Sequence, residues 1–92
     1  MAYIPGVEGE NLGTLPSWAT LLVRSRDGDT LAFEQLVRAC ERRVLTIAYQ
    51  ITGNMEDAQD VAQESFLRVY RSRDRFQEGR PFEAWLYRIV VN

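Results

Sequence analysis

The chain has no lysine, no histidine and a single cysteine, Cys40. Without histidine it lacks the commonest general base and metal ligand. One cysteine excludes an internal disulfide and a cysteine-rich zinc site, and fits a reducing compartment. No apolar run approaches the roughly 20 residues of a membrane span, and no basic-then-apolar signal segment opens the chain. A cytoplasmic location without membrane insertion is therefore expected. Gly-rich phosphate loops, metal-ligand clusters and nucleophile–base constellations are missing as well. Glu56, Asp57, Asp60 and Glu64 are acidic, but no matching cluster on another segment completes a carboxylate metal site. These absences argue against an enzyme and imply no cofactor and no metal.

What is present suits one small domain: 92 residues, 46% hydrophobic and 26% charged. All eleven basic residues are arginine, yet the net charge is −2. A domain that grips duplex DNA alone needs phosphate neutralisation, so any nucleic acid is expected to arrive with a partner.

Residues 1–16 hold Pro5, Gly6, Gly9, Gly13 and Pro16 and read as a flexible leader; the domain is expected over 17–92. Ser17 is a candidate cap for a short helix through Trp18, Leu21, Leu22 and Val23. Gly28 ends it and Asp29 caps a long second helix. There Phe33, Leu36, Val37, Cys40, Val44, Ile47, Ala48 and Ile51 follow helical spacing. Within that stripe Cys40 reads as a small buried hydrophobe. Gly53 ends the second helix and Asn54 caps a third, running from Met55 to about Arg73. The third helix is acidic at its start and basic at its end, matching the helix dipole. One half of its cylinder carries Ala58, Val61, Ala62, Ser65, Phe66, Val69 and Tyr70. The other carries Asp60, Gln63, Glu64 and Arg71 around a lone Leu67, an arrangement that suits a partner helix.

The stretch from Phe76 to Asn92 holds Phe76, Phe82, Trp85 and Tyr87, four of the ten aromatics. Pro81 suits a helix start. Phe82, Trp85, Leu86, Ile89 and Val90 define a core face, with Trp85 expected to be largely buried. Trp85, Arg88 and Asn92 fall toward one side of the helix end. With Phe76 and the loop to Arg80 close by, the expected result is a small pocket with aromatic and cationic walls and an amide able to read a base edge. The last helix meets no stop signal before Asn92, which suggests a domain cut from a longer protein. The expected fold is all-α: a small bundle of four helices, with a three-helix core and the short N-terminal helix packed across it.

The segments GDTLAFEQLV (28–37), DAQDVAQESFLRVYR (57–71) and RFQEGRPFEAWLYRIVVN (75–92) resemble the second conserved region of bacterial sigma factors of the sigma-70 family, and within it the extracytoplasmic-function (ECF) type. The resemblance covers roughly residues 17–92. It implies a transcription initiation domain that docks on the clamp helices of the largest catalytic RNA polymerase subunit, helps melt the promoter and captures the non-template strand of the minus-ten element. It places polymerase binding at Asp60, Gln63, Glu64 and Leu67, with Arg68 and Arg71 nearby. It places DNA binding at Phe76, Arg80, Trp85, Arg88 and Asn92, with Asn92 contacting a flipped-out base. An anti-sigma factor is a further implied partner. The pattern departs from the family at Gln59, where an acid is usual. Its loop, QEGRP, has its own sequence, so base preference does not transfer. The domain that reads the minus-thirty-five element is not in this sequence, and the 92 residues alone are not expected to initiate transcription.

Two other readings compete. A helical protein-interaction module without nucleic-acid binding shares the Leu67 face and differs only over Phe76–Asn92. A helix-turn-helix regulator of duplex DNA fails on charge and on the lack of a basic recognition helix.

Overall fold

The computed structural model describes residues 16–92, so nearly all of the leader expected over 1–16 lies outside the described residues. The chain folds into α1 (Trp18–Arg26), α2 (Thr30–Thr52), α3 (Met55–Arg71), a 3-10 turn (Arg73–Arg75) and α4 (Phe82–Val91). No strand forms among the described residues. The expected all-α bundle of four helices is the fold observed.

Each helix boundary has a local cause. The Ser17 hydroxyl accepts the Thr20 N–H at 3.1 Å, satisfying one orphan donor of α1. Gly28, at φ 108°, supplies the positive φ that ends that helix. The Asp29 carboxylate then accepts the N–H groups of Leu31 and Ala32 and opens α2. Gly53 closes α2 in the left-handed region, its N–H donating to the Tyr49 carbonyl at 2.8 Å. Asn54 caps α3 twice over. Its Oδ1 accepts the Asp57 N–H at 2.9 Å, while its Nδ2 donates to the Asp57 carboxylate at 2.8 Å. Pro81 precedes α4 without a side-chain cap; its own missing N–H and fixed φ are what it contributes.

The core is built around α2, which packs on α1, α3 and α4. It contributes Ala32, Leu36, Cys40, Val44, Ile47 and Ala48. Small residues of α3, Ala58, Ala62 and Ser65, face this stripe one and two turns apart and let the two helices approach closely. Leu21 and Leu22 of α1, Val69 of α3, and Phe82, Leu86 and Val90 of α4 complete the core. Leu22 is fully buried, so α1 is a working part of the core. Its two buried polar groups are satisfied: Ser65 donates to the Val61 carbonyl at 2.7 Å, and Ser25 accepts from Arg73 at 2.9 Å.

Two apolar positions depart from the expected stripes. Ile51, in the last turn of α2, is 52% exposed. Tyr70 is 46% exposed; its ring lies edge-on to Phe33 at 5.0 Å and under the Arg73 guanidinium at 3.8 Å, at the rim of the core. Trp85 is mostly buried, as expected, with a minor part of its surface exposed; Phe76 and Phe82 pack against its indole.

Candidate nucleic-acid interface

Residues 68–92 hold six arginines, Arg68, Arg71, Arg73, Arg75, Arg80 and Arg88, against only three carboxylates. The acidic chain thus concentrates its positive charge at one end. An aromatic cluster organises this end. Phe76 meets Phe82 at 5.6 Å and Trp85 at 5.3 Å, and Phe82 meets Trp85 at 5.8 Å and Trp18 at 6.3 Å. These geometries are edge-on or tilted, as ring quadrupoles favour. Phe76 is only 3% exposed. The ring is therefore mostly part of the core, while Phe76 still lines the second hollow described next.

Two hollows that share Trp85 and Arg88 open over this cluster, where a small pocket was expected. The first, of about 380 Å³, is lined by Arg68, Arg71, Ser72, Trp85, Arg88, Ile89 and Asn92. That volume falls within the roughly 300–1,000 Å³ of ordinary ligand sites. The second, of about 250 Å³, is lined by Arg75, Phe76, Gln77, Arg80, Pro81, Ala84, Trp85 and Arg88. Trp85 and Arg88 line both. They form a shared wall, an indole beside a guanidinium, that separates Asn92 from Arg80 and the loop. The helix turn fixes this arrangement, since positions 85, 88 and 92 recur on one side. A flat aromatic face bordered by guanidinium planes can stack nucleobases, and the carboxamide of Asn92 can both donate to and accept from a base edge.

The other expected site residues divide unevenly. Leu67 is 46% exposed on α3. Asp60 and Gln63 line a groove of about 460 Å³ between α2 and α3, with Val37, Glu41, Leu45, Gln59, Ala62 and Phe66. This apolar floor with acid and amide edges suits a partner helix. Glu64 points the other way and pairs with Arg68 at 3.7 Å. Arg68 also donates to the Ile89 carbonyl at 3.3 Å. Arg68 and Arg71 therefore sit with Trp85, Arg88 and Asn92 in the first hollow, apart from the groove that Gln63 lines. Ser72, Arg75 and Gln77 were not singled out from sequence, although the run RSRDRFQ that contains them is visibly basic.

Among the described residues no group of His, Cys, Asp or Glu is placed to hold a metal ion, and no helix is long and apolar enough to cross a membrane. Cys40 is 1% exposed and burial pushes its thiol up to about 12, so it stays protonated and unreactive.

A family model described as Sigma-70 region 2 matches residues 36–92. The chain is 46% identical over 61 residues to the ECF RNA polymerase sigma factor SigE of Mycolicibacterium smegmatis, covering 66% of this chain and 23% of that protein. It is 39% identical over 67 residues to the ECF RNA polymerase sigma factor SigW of Bacillus subtilis, covering 73% of this chain and 36% of that protein. The NMR structure of an engineered region 2 of sigmaE in complex with GTAAAA superposes with a TM-score of 0.77 at 36% identity, covering 84% of this chain and 80% of that one. The chain belongs to the Sigma-70 region 2 family, and its relatives are ECF sigma factors. It spans well under half the length of those curated relatives.

Proposed function

We propose that residues 17–92 are the region of an ECF sigma factor that docks on core RNA polymerase and captures the non-template strand of the minus-ten element as the promoter opens. One observation carries this reading: a partly exposed Trp85 lines two hollows whose rims bring together Arg68, Arg71, Arg75, Arg80, Arg88 and Asn92. The related region 2 of sigmaE was solved bound to GTAAAA, which supports the same use here. The strand stacks on the exposed part of Trp85, the guanidiniums take its phosphates and Asn92 reads the edge of one unstacked base. Unstacking costs a few kcal/mol; stacking at about 1–3 kcal/mol per base and neutralised phosphates offset it. The α2–α3 groove with Asp60 and Gln63, together with the exposed Leu67 of α3, receives the clamp helices of the largest polymerase subunit. In this role the domain acts in the cytoplasm, catalyses nothing itself and is restrained by an anti-sigma factor.

The test is direct. In a Trp18→Phe background, Trp85 is the remaining tryptophan, and its fluorescence should be quenched by single-stranded minus-ten oligonucleotides and much less by the same sequence as duplex. Core polymerase should pull down the chain, and Leu67→Asp should weaken that capture at least tenfold. Polymerase capture without any strand binding, even in the polymerase complex, would leave a protein-interaction module and sink the strand-capture reading.

A further inference from the structure

The loop Gln77–Arg80 supplies one side of the second hollow, yet nothing inside it is buried. Residues 77–81 are all exposed. Its own backbone offers one closure, the Arg80 N–H to the Gln77 carbonyl at 3.1 Å, with Gly79 at φ 88° making the turn. The loop must therefore be positioned from outside itself. Phe76 and Phe82 pin its ends. Two further ties come from the last turn of α1, on adjacent residues.

The first tie is buried. Arg73 donates from one Nη to both the Ser25 carbonyl, at 3.1 Å, and the Ser25 hydroxyl, at 2.9 Å. Its Nε donates to the Tyr70 carbonyl at 3.0 Å, and its guanidinium lies over the Tyr70 ring. This clasp fixes where the connector leaves α3. The second tie is at the surface. Arg26 reaches 52 residues along the chain to the Glu78 carboxylate at 3.3 Å, while its Nε holds Asp27 at 3.3 Å. Asp27 braces the guanidinium, so Arg26 presents a set direction to the loop tip. The Arg26 side chain is 28% exposed and that of Glu78 68%, so the contact is open to solvent and adjustable.

We infer that Arg26 and Glu78 are positioning residues for base preference: the end of α1 seats the loop against Trp85 and thereby shapes the second hollow. Neither need touch the base. Glu78 sits within two residues of Gln77 and Arg80, which line that hollow; a shift at Glu78 moves both. The inference rests on the strand-capture reading given above and adds a specificity element on a helix remote in sequence from the recognition segment.

The experiment uses the 92-residue chain, the exposed charge reversals Arg26→Glu and Glu78→Arg, and the double swap. A panel of single-stranded hexanucleotides, varied one base at a time around GTAAAA, gives relative affinities. Ratios are the readout, because added or removed charge changes affinity for every oligonucleotide alike and cancels. Each single reversal should flatten discrimination at one position about two- to five-fold, the size an exposed ion pair can transmit. The swap should restore it, with thermal midpoints nearly constant throughout. Parental binding with ratios unmoved in the single variants, or not restored in the swap, overturns this inference alone. A parent that binds no oligonucleotide, either alone or in complex with core polymerase, overturns the strand-capture reading and this inference with it.

Discussion

The α2–α3 half and the segment from Ser72 to Asn92 are held by different means. In the first, Leu36, Cys40, Val44 and Ala48 meet Ala58, Ala62, Ser65 and Val69 in a close aliphatic contact, capped at each end by side-chain and backbone hydrogen bonds. In the second, Leu86 and Val90 of the last helix reach the same core, three edge-on or tilted aromatic rings pack beside them, and the loop has no buried residue between 77 and 81. Aliphatic packing on a long helix is uniform and rigid. An aromatic cluster with an open face is anchored and still available. Both halves therefore carry buried core, but the aromatic and arginine chemistry suited to a strand falls on the second.

The largest expected effect tests that division inside the aromatic cluster itself. Phe76→Ala should cost about 3–5 kcal/mol, as for a fully buried aromatic. Trp85→Ala should cost somewhat less, about 3 kcal/mol, because part of its surface is exposed, and should abolish strand binding as read by the anisotropy of a labelled oligonucleotide. Urea titration of both variants measures the difference. Equal losses of stability would mean that Trp85 is a core residue and that the open face is incidental.

The same contrast explains what could be read from sequence. Caps at Ser17, Asp29 and Asn54 and the stop at Gly53 were legible because each acts within a few residues. The exposure of Leu67 was legible from the helical wheel. The burial of Phe76 was not, since a loop has no period to reveal which way a ring turns. Helical spacing put Trp85 on the core stripe but could not say that Phe76 and Phe82 would take only part of its surface. The side taken by Arg68 was likewise hidden: a wheel gives an angle on α3, and only the packed α4 shows that this angle leads to Ile89 and Asn92. Arg73 and Glu78 were unreadable for the same reason, their partners lying 48 and 52 residues away.

Polymerase docking should give the next effect. Leu67→Asp should weaken core binding at least tenfold while helicity stays unchanged, as for an anchor residue at about 2 kcal/mol or more. The groove sharpens the expectation for its neighbours. Gln63 lines it with Val37 and Phe66, whereas Glu64 is turned toward Arg68. Gln63→Ala should therefore weaken capture more than Glu64→Ala in a competition pull-down. The reverse order would move the docking face to the α4 side of α3.

Asn92→Ala should relax preference at one minus-ten position by about 1–3 kcal/mol, the worth of a specific base contact, with polymerase capture intact. A library of minus-ten strands that returns the parental preference would remove Asn92 from base reading and leave Trp85 and the arginines as a strand binder without discrimination at that position.

The smallest effect bears hardest on the comparison, because Arg68 stands on its boundary. It pairs with Glu64 on one side and donates to the Ile89 carbonyl on the other, at 3.7 Å and 3.3 Å. The pair is solvent-exposed at both ends, so its loss should change stability by less than about 1 kcal/mol. Resemblance to the sigma-factor pattern places Arg68 near the polymerase face, whereas its position in the first hollow places it beside the strand. Each site gives a different signature. As a phosphate contact, Arg68→Gln should weaken every single-stranded oligonucleotide to a similar extent and lower the slope of log affinity against log salt by about 0.7, leaving polymerase capture unchanged. As a docking residue, the same substitution should reduce capture and leave the salt slope alone. We expect the first outcome, since the guanidinium shares its hollow with Trp85, Arg88 and Asn92. A salt titration of strand binding, run beside a polymerase pull-down, assigns Arg68 to one side of α3 or the other.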